Sequence, residues 1–337
     1  VANFKFAIRY NYDDAERFLA WFEPYMDRVD HFFFTVRGIR NKENTDSQIR
    51  WALRNLDKIA DFIKVCKQHK YRTFLVADAI YTPTILSQLK FDLIEQIRPF
   101  VNMGLTGVCV ASYTYARILH DAYPQLKIQK ANNLPVITNR TYHIWNNDFK
   151  TDVFGLPPEA LRTPSIISNF AKTGYIPMCV VDDTSAYGAP GNIEEECSEQ
   201  ILQQSIIRYK KNKTYRMVDL FQSNVVPPNL LNKTLFDDYN GDVIFKINAK
   251  CNNTAKVFEL FSSYMNGENV DNLMDFLPLH NENTLAKNHI VIKSEYWPKK
   301  TMTCECNDCD NCNDCNNAVQ QIMDSQNLGF AVRKRIS

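Results

Sequence analysis

Through the first two-thirds of the chain, short apolar runs alternate with longer segments whose apolar positions recur at helical spacing. Phe4-Lys5-Phe6-Ala7-Ile8 reads as a strand, and residues 13–29 follow with Phe18, Leu19, Phe22, Tyr25, Met26 and Val29 at helical positions. His31-Phe32-Phe33-Phe34-Thr35-Val36 is a second strand, and 47–69 a long helix with Thr45 or Asp46 as its cap. The same alternation predicts strands over 74–77, 107–111, 126–131, 152–155, 176–181 and 243–247. Helices are predicted over 83–101, 113–123, 139–148, 158–173 and 253–265. Eight strand-then-helix units in roughly 265 residues match the length of a (β/α)₈ TIM-type barrel. No glycine-rich phosphate-binding loop follows the first strand, which argues against a dinucleotide-binding sheet. The expected organisation is a barrel over 1–275 and a C-terminal extension over 276–337.

Two stretches break the alternation. Residues 182–224 contain Gly188, Pro190 and Gly191 before a helical pattern over 193–210, and they follow a barrel strand, where active-site loops are built. Residues 278–301 are mixed, with a short strand expected at 290–292 and a helix starting near 319–323.

Composition narrows the class. In 337 residues, 39 Lys and Arg balance 38 Asp and Glu, so no global field attracts nucleic acid or a membrane surface. No apolar run is long enough to span a bilayer. The ten cysteines are not spread like a disulfide scaffold: five fall between 304 and 315 and the rest are single. In a long chain with its own core, this predicts a reducing compartment, the cytoplasm.

Cys304, Cys306, Cys309, Cys312 and Cys315 form C-x-C-x₂-C-x₂-C-x₂-C. Two-residue gaps of Asn and Asp let successive thiolates turn onto one small centre. Zinc sites usually use two separated C-x₂-C pairs, whereas contiguous pairs resemble the runs that hold iron–sulfur clusters. Cys306, Cys309, Cys312 and Cys315 are the expected ligands of a [4Fe-4S] cluster, with zinc as the alternative. Cys304 is set aside because a one-residue gap turns extended neighbours apart. Cys66 and Cys109 read as core, and Cys179, Cys197 and Cys251 as idle thiols or a second site at the barrel mouth.

Other candidates cluster at predicted strand ends: Arg9 and Asn11, Arg37 and Arg40, Asp78, Lys130 with Asn132 and Asn133, Asp182-Asp183, and Lys246 within the eighth strand. Guanidinium groups at several strand ends suit an anionic substrate, which they bind bidentately. Paired carboxylates at 182 and 183 suit acid–base work or a metal, and a solvated loop tip is the plainer explanation. The six histidines form no metal-spaced pair and none is assigned a role, and no G-x-S-x-G or H-E-x-x-H motif occurs.

Val226-Pro227-Pro228-Asn229-Leu230-Leu231, then Asp242 to Lys250 (DVIFKINAK), the helix 255–266 and Asn272-Leu273 resemble the late region of the U32 peptidase-like family. Asn139-Arg140 is similar to that family's N-R position. The resemblance implies a (β/α)₈ barrel with a cysteine-bound [4Fe-4S] cluster. Its implied activity is that of a collagenase-like protease or an oxygen-independent hydroxylase. The chain departs from the pattern at Ala249-Lys250, where Gly-Arg is usual, and at Val181-Asp182. The expected enzyme is an iron–sulfur hydroxylase or related modifying enzyme acting on an anionic small molecule, peptide or RNA. A hydrolase, or a non-catalytic protein with structural zinc, is the alternative. Arg140, Asp182 and Asp78 are the expected catalytic residues, with Arg9, Arg37, Lys130, Asn139 and Lys246 on the substrate.

Overall fold

The structure is a computed structural model that describes residues 2–36, 46–77, 83–132, 139–186, 223–249, 253–273, 291–299 and 314–325. Its centre is a closed barrel of parallel strands: β1 (Asn3–Arg9), β2 (Val29–Phe34), β3 (Thr73–Ala77), β4 (Gly107–Val110), β5 (Lys127–Lys130), β6 (Val153–Gly155), β7 (Ile176–Val180) and β10 (Asp242–Ile247). The barrel closes where β1 pairs with β10. Strands β2, β3 and β4 are buried along their whole length, as strands covered on both faces must be. Around them lie α1 (Ala15–Phe22), α2 (Asp46–Gln68), α3 (Pro83–Met103), α4 (Tyr113–Ala122), α5 (Asn139–Phe149), α6 (Pro164–Ala171) and α7 (Thr254–Asn266). The (β/α)₈ architecture predicted from the sequence is the observed one.

Prolines account for two departures. The helix expected over 13–29 stops at Phe22 and continues as a 3₁₀ turn over Glu23–Tyr25, because Pro24 cannot donate to the preceding turn. The helix expected over 158–173 splits into a 3₁₀ segment, Pro158–Arg162, and α6. Pro164 pushes Thr163 out of the helical region, to φ −127° and ψ 87°. The sequence also conceals an antiparallel hairpin, β8 (Asp182–Ala186) with β9 (Ser223–Val225), since Asp-Asp-Thr-Ser-Ala shows no apolar alternation. The helical pattern at 193–210 lies outside the described residues.

Register fixes what points inward. Following partners from Arg9 through Phe33, Phe74 and Gly107 round the barrel returns to β1 at position 1, a shift of eight residues. Interior side chains therefore fall into layers of four drawn from alternate strands. From the N-terminal end upward, register assigns His31, Gly107, Val153 and Ile244 to one layer, and Ala7, Phe74, Gln129 and Met178 to the next. Above them come Phe33, Cys109, Gly155 and Lys246, then Arg9, Val76, Ala131 and Val180. The apolar side chains of these layers, Val180 apart, belong to one inner core cluster. Gly155 has no room for a side chain, since a Cβ there would lie 2.6 Å from the Asn132 nitrogen.

A second, larger core lies between barrel and helices and is rich in rings; Tyr10 stacks on Phe62 at 3.8 Å, with Phe18 edge-on to both. The C-terminal extension is built into this outer core. Ile292 and Trp297 belong to it, as do Ala318, Val319 and Ile322 of α8 (Asp314–Ser325). Leu273 donates its backbone N–H to Ile292 at 2.8 Å, but 291–293 is not a strand. The described part of the extension is thus continuous with the barrel's own packing. No helix among the described residues is long and apolar enough to cross a membrane.

Candidate functional site

The C-terminal ends of the strands form the barrel mouth. Two of the predicted cations enter its interior. Lys246 lies in the third layer, 6% exposed, with Nζ 4.7 Å from the centroid of the Phe33 ring. Arg9 lies one layer above, half-buried, and donates from Nη2 to Thr35 Oγ1 at 3.3 Å. Neither has a carboxylate within ion-pairing distance among the described residues. Asp182 is not a solvated loop tip: it is 1% exposed, and its Oδ1 accepts the Asn248 backbone N–H at 2.9 Å. That bond ties the start of the β8–β9 hairpin to the end of β10. On the neighbouring side, Asn11 donates to Thr254 Oγ1 at 3.1 Å, and Thr254 donates to Asp13 at 2.6 Å, fixing the start of α7 against the end of β1.

Other predicted site residues are placed elsewhere. Asn139 and Arg140 open α5 and are exposed. Lys130 is buried at 2%, and its strand neighbours Val110 and Phe154 both belong to the outer core, so register turns it toward the helices. Burial pulls its ammonium down to about 7. Its Nζ donates to the Ala131 carbonyl at 2.9 Å. Asn132, next along the chain, donates from Nδ2 to the Leu156 and Met178 carbonyls, both at 2.9 Å, and so clasps β5, β6 and β7 together. Asp78 and Arg37 lie outside the described residues.

The same holds for Cys304, Cys306, Cys309 and Cys312, and for Cys197 and Cys251. Cys315 is described: it is half-buried near the start of α8 and packs against the outer core. Cys179 faces the helical layer, and burial raises its thiol well above the usual range, so it is not offered to the mouth. Among the described residues no three His, Cys, Asp or Glu side chains are grouped to hold a metal ion. Cys66 and Cys109 are buried, as expected, but Cys109 lies inside the barrel.

Two interior residues escaped the sequence reading. His31 lies within β2, which begins two residues before the expected strand, at Val29, and pairs with β1 through a bulge that skips Asp30. Its Nδ1 meets Asp30 Oδ2 at 2.7 Å, and Asp30 also pairs with Arg72. Burial holds the His31 imidazolium below its usual range. Asp30 is also disfavoured by burial, but the hydrogen bond to His31 and the Arg72 charge outweigh this and keep it ionised. The second residue is Gln129, a polar side chain inside the barrel at 3% exposure. The pattern Ile128-Gln129-Lys130-Ala131 held the clue, since Ile128 belongs to the outer core and Ala131 to the inner. A groove of about 640 Å³ between α1 and α2, lined by Asp13, Glu16, Lys58 and Asp61 among others, lies outside the barrel and mixes both signs of charge.

No protein-family model matches the chain, and no curated protein matches it. Among solved structures it is similar to a U32 peptidase, with a TM-score of 0.41 and 10% identity over 73% of this chain and 93% of that one. It is similar to the tryptophan synthase A-subunit of Pyrococcus furiosus, with a TM-score of 0.42 and 8% identity over 78% and 97%. It is also similar to the homocysteine methyltransferase MmuM of Escherichia coli, with a TM-score of 0.36 and 7% identity over 74% and 84%. These are distant likenesses to barrel proteins of differing chemistry, and the U32 resemblance read from the sequence is not established as a family assignment.

Proposed function

We propose that the chain is a barrel enzyme that binds an anionic substrate at its C-terminal mouth. The observation that carries this is Lys246: a buried cation against the face of the Phe33 ring with no carboxylate partner among the described residues. A buried charge is costly unless compensated, and a substrate anion compensates it. Arg9, one layer above, supplies a second cation, and Arg140 at the head of α5 a third from the rim. Asp182, held by the Asn248 N–H, is the carboxylate placed for proton transfer. Acid–base chemistry on an anionic substrate, as in a hydrolase, is the reaction class these groups support.

The cysteine run belongs to this reading as a metal centre of Cys306, Cys309, Cys312 and Cys315, [4Fe-4S] or zinc. Cys315 suits a ligand because it is near a helix N-terminus, where the dipole favours thiolate. Its packing against the outer core supports a centre apart from the mouth, which favours a structural role. An iron–sulfur cluster there would supply electron transfer, and that outcome would revive the hydroxylase reading. Iron, sulfide and zinc analysis of anaerobically purified protein decides between them. The substrate reading is tested by calorimetric titration with phosphate, propionate and lactate. Saturable binding that weakens about tenfold or more in Lys246→Met supports it. Absence of anion binding, or binding indifferent to Lys246, refutes it.

A further inference from the structure

We infer that Tyr264 is a positioning residue of the mouth site: its hydroxyl locks the root of the β8–β9 hairpin and so holds the Asp182 carboxylate on the Asn248 N–H. The inference rests on the reading of Asp182 as the proton-transfer group and adds what keeps it in place. Val180 points into the barrel by register and Val181 belongs to the outer core, so alternation returns Asp182 to the inner face, above the fourth layer. There the chain leaves the barrel, and it comes back only at Val225 and Val226. Hydrogen bonds converge on that point. Val226 N–H donates to the Val181 carbonyl at 2.8 Å, and Val181 N–H to the Lys246 carbonyl at 3.2 Å. Asn248 N–H donates to Asp182 Oδ1 at 2.9 Å. The Tyr264 hydroxyl reaches in from α7, 2.7 Å from the Val226 carbonyl oxygen and 3.3 Å from that of Val181.

Tyr264 is buried, and burial together with the Asp182 charge raises its hydroxyl well above the usual tyrosine range, so it stays a donor. Its one proton serves carbonyls on both legs of the hairpin, so a single side chain braces the two. Without the hydroxyl the legs can shift against β10, and the Asn248–Asp182 bond loosens. A carboxylate that accepts a backbone N–H is favoured in its charged form, so loosening that bond raises the pH at which Asp182 takes up a proton. A brace that served stability alone would lower Tm and leave that pH where it was. The charged or titratable groups on the elements packed about the hairpin root are Tyr264 on α7, Lys246 on β10, Arg9 on β1 and the buried Arg162 of the 3₁₀ segment before α6, with Asp183 beside Asp182 on β8 itself.

The test follows the Asp182 carboxyl carbon by NMR between about pH 4 and pH 8, in protein labelled with ¹³C-carboxyl aspartate and assigned through Asp182→Asn. In Tyr264→Phe the titration midpoint should rise by about half a pH unit or more. Sulfate affinity, measured by calorimetry over the same range, should increase as pH falls through the midpoint, because an ionised Asp182 repels the anion, and this increase should move with the midpoint. A folded Tyr264→Phe with a lowered Tm and an unmoved midpoint overturns the inference and leaves Tyr264 structural. If Tyr264→Phe does not fold, the wild type decides. The hydroxyl-bearing ring carbon of Tyr264 should then follow the Asp182 titration in ¹³C-tyrosine protein and cease to do so in Asp182→Asn. A Tyr264 resonance blind to Asp182 overturns the inference. Sulfate also separates the two levels. Binding that weakens in Lys246→Met beside an unmoved Asp182 midpoint refutes only the Tyr264 role. Binding indifferent to Lys246, or none at all, refutes the mouth site and the positioning role of Tyr264 with it.

Discussion

Replacing Lys130 by Met should stabilise the fold, and more so in acid than in base. The amine is sealed between barrel and helices, and burial lowers its pKa to about 7, against ~10.4 in an unfolded chain. Between those values the unfolded state holds the extra proton, so this group makes stability rise with pH. At ~1.36 kcal/mol per pKa unit, the penalty is on the order of 4–5 kcal/mol at pH 6 and about 2 kcal/mol at pH 9. The Met variant also loses the hydrogen bond to Ala131, worth about 1 kcal/mol at either pH. Its advantage over the wild type should therefore shrink by roughly 2–3 kcal/mol between pH 6 and pH 9. Urea denaturation of both proteins at the two pH values measures this. Taking the difference of differences cancels the groups they share, including Tyr10 and Tyr239, whose hydroxyls burial raises. A gap that stays constant with pH, or widens toward base, would show that Lys130 keeps its proton or reaches water.

Asp30→Ala should destabilise by about 3–5 kcal/mol in thermal or urea unfolding, because it strands Arg72 and removes the partner of a buried His31. Asp30's folded pKa is depressed, so its contribution is present above the unfolded carboxylate value of ~3.9 and disappears as pH falls below it. Serine at any one of Cys306, Cys309, Cys312 or Cys315 should lower metal content, since a hydroxyl is a poor substitute for thiolate; unchanged metal in all four variants would move the ligands elsewhere. Arg140→Lys, at an exposed helix start, should leave Tm within about 1 °C of wild type. The same variant should weaken phosphate binding by about threefold through loss of the bidentate fork, and a lowered Tm with unchanged affinity would make Arg140 structural.

The barrel was legible because parallel strands buried on both faces must be apolar without interruption, and Phe32-Phe33-Phe34 or Gly107-Val108-Cys109-Val110 admits no other reading beside its helix. Helix ends were less legible where a proline intervened, as at Pro24 and Pro164. The site was legible only in part. Composition marked Arg9 and Lys246 as cations near strand ends, but only register shows that both enter the barrel. Lys130 carried the same mark and faces the other way, since one position along a strand exchanges inside for outside. That His31 points into the barrel was hidden because a one-residue bulge cannot be seen in an apolar run. Asp182 read as a loop because its pairing partner is more than forty residues away, at Val225.

The closure of the barrel sets the order in which the molecule can fold. Strand β1, the first made, finds its second neighbour only in β10, with Asn3 bonded to Asp242 across 239 residues. Until then β1 offers an unpaired edge, and so does whichever strand was completed last. The outer core waits longer still, for Trp297, Val319 and Ile322. Synthesis at about 5–20 residues per second leaves that edge open for tens of seconds on the ribosome. The nascent chain must be sheltered or slow to associate during that interval, and truncations that stop before α8 should yield aggregates rather than a smaller barrel.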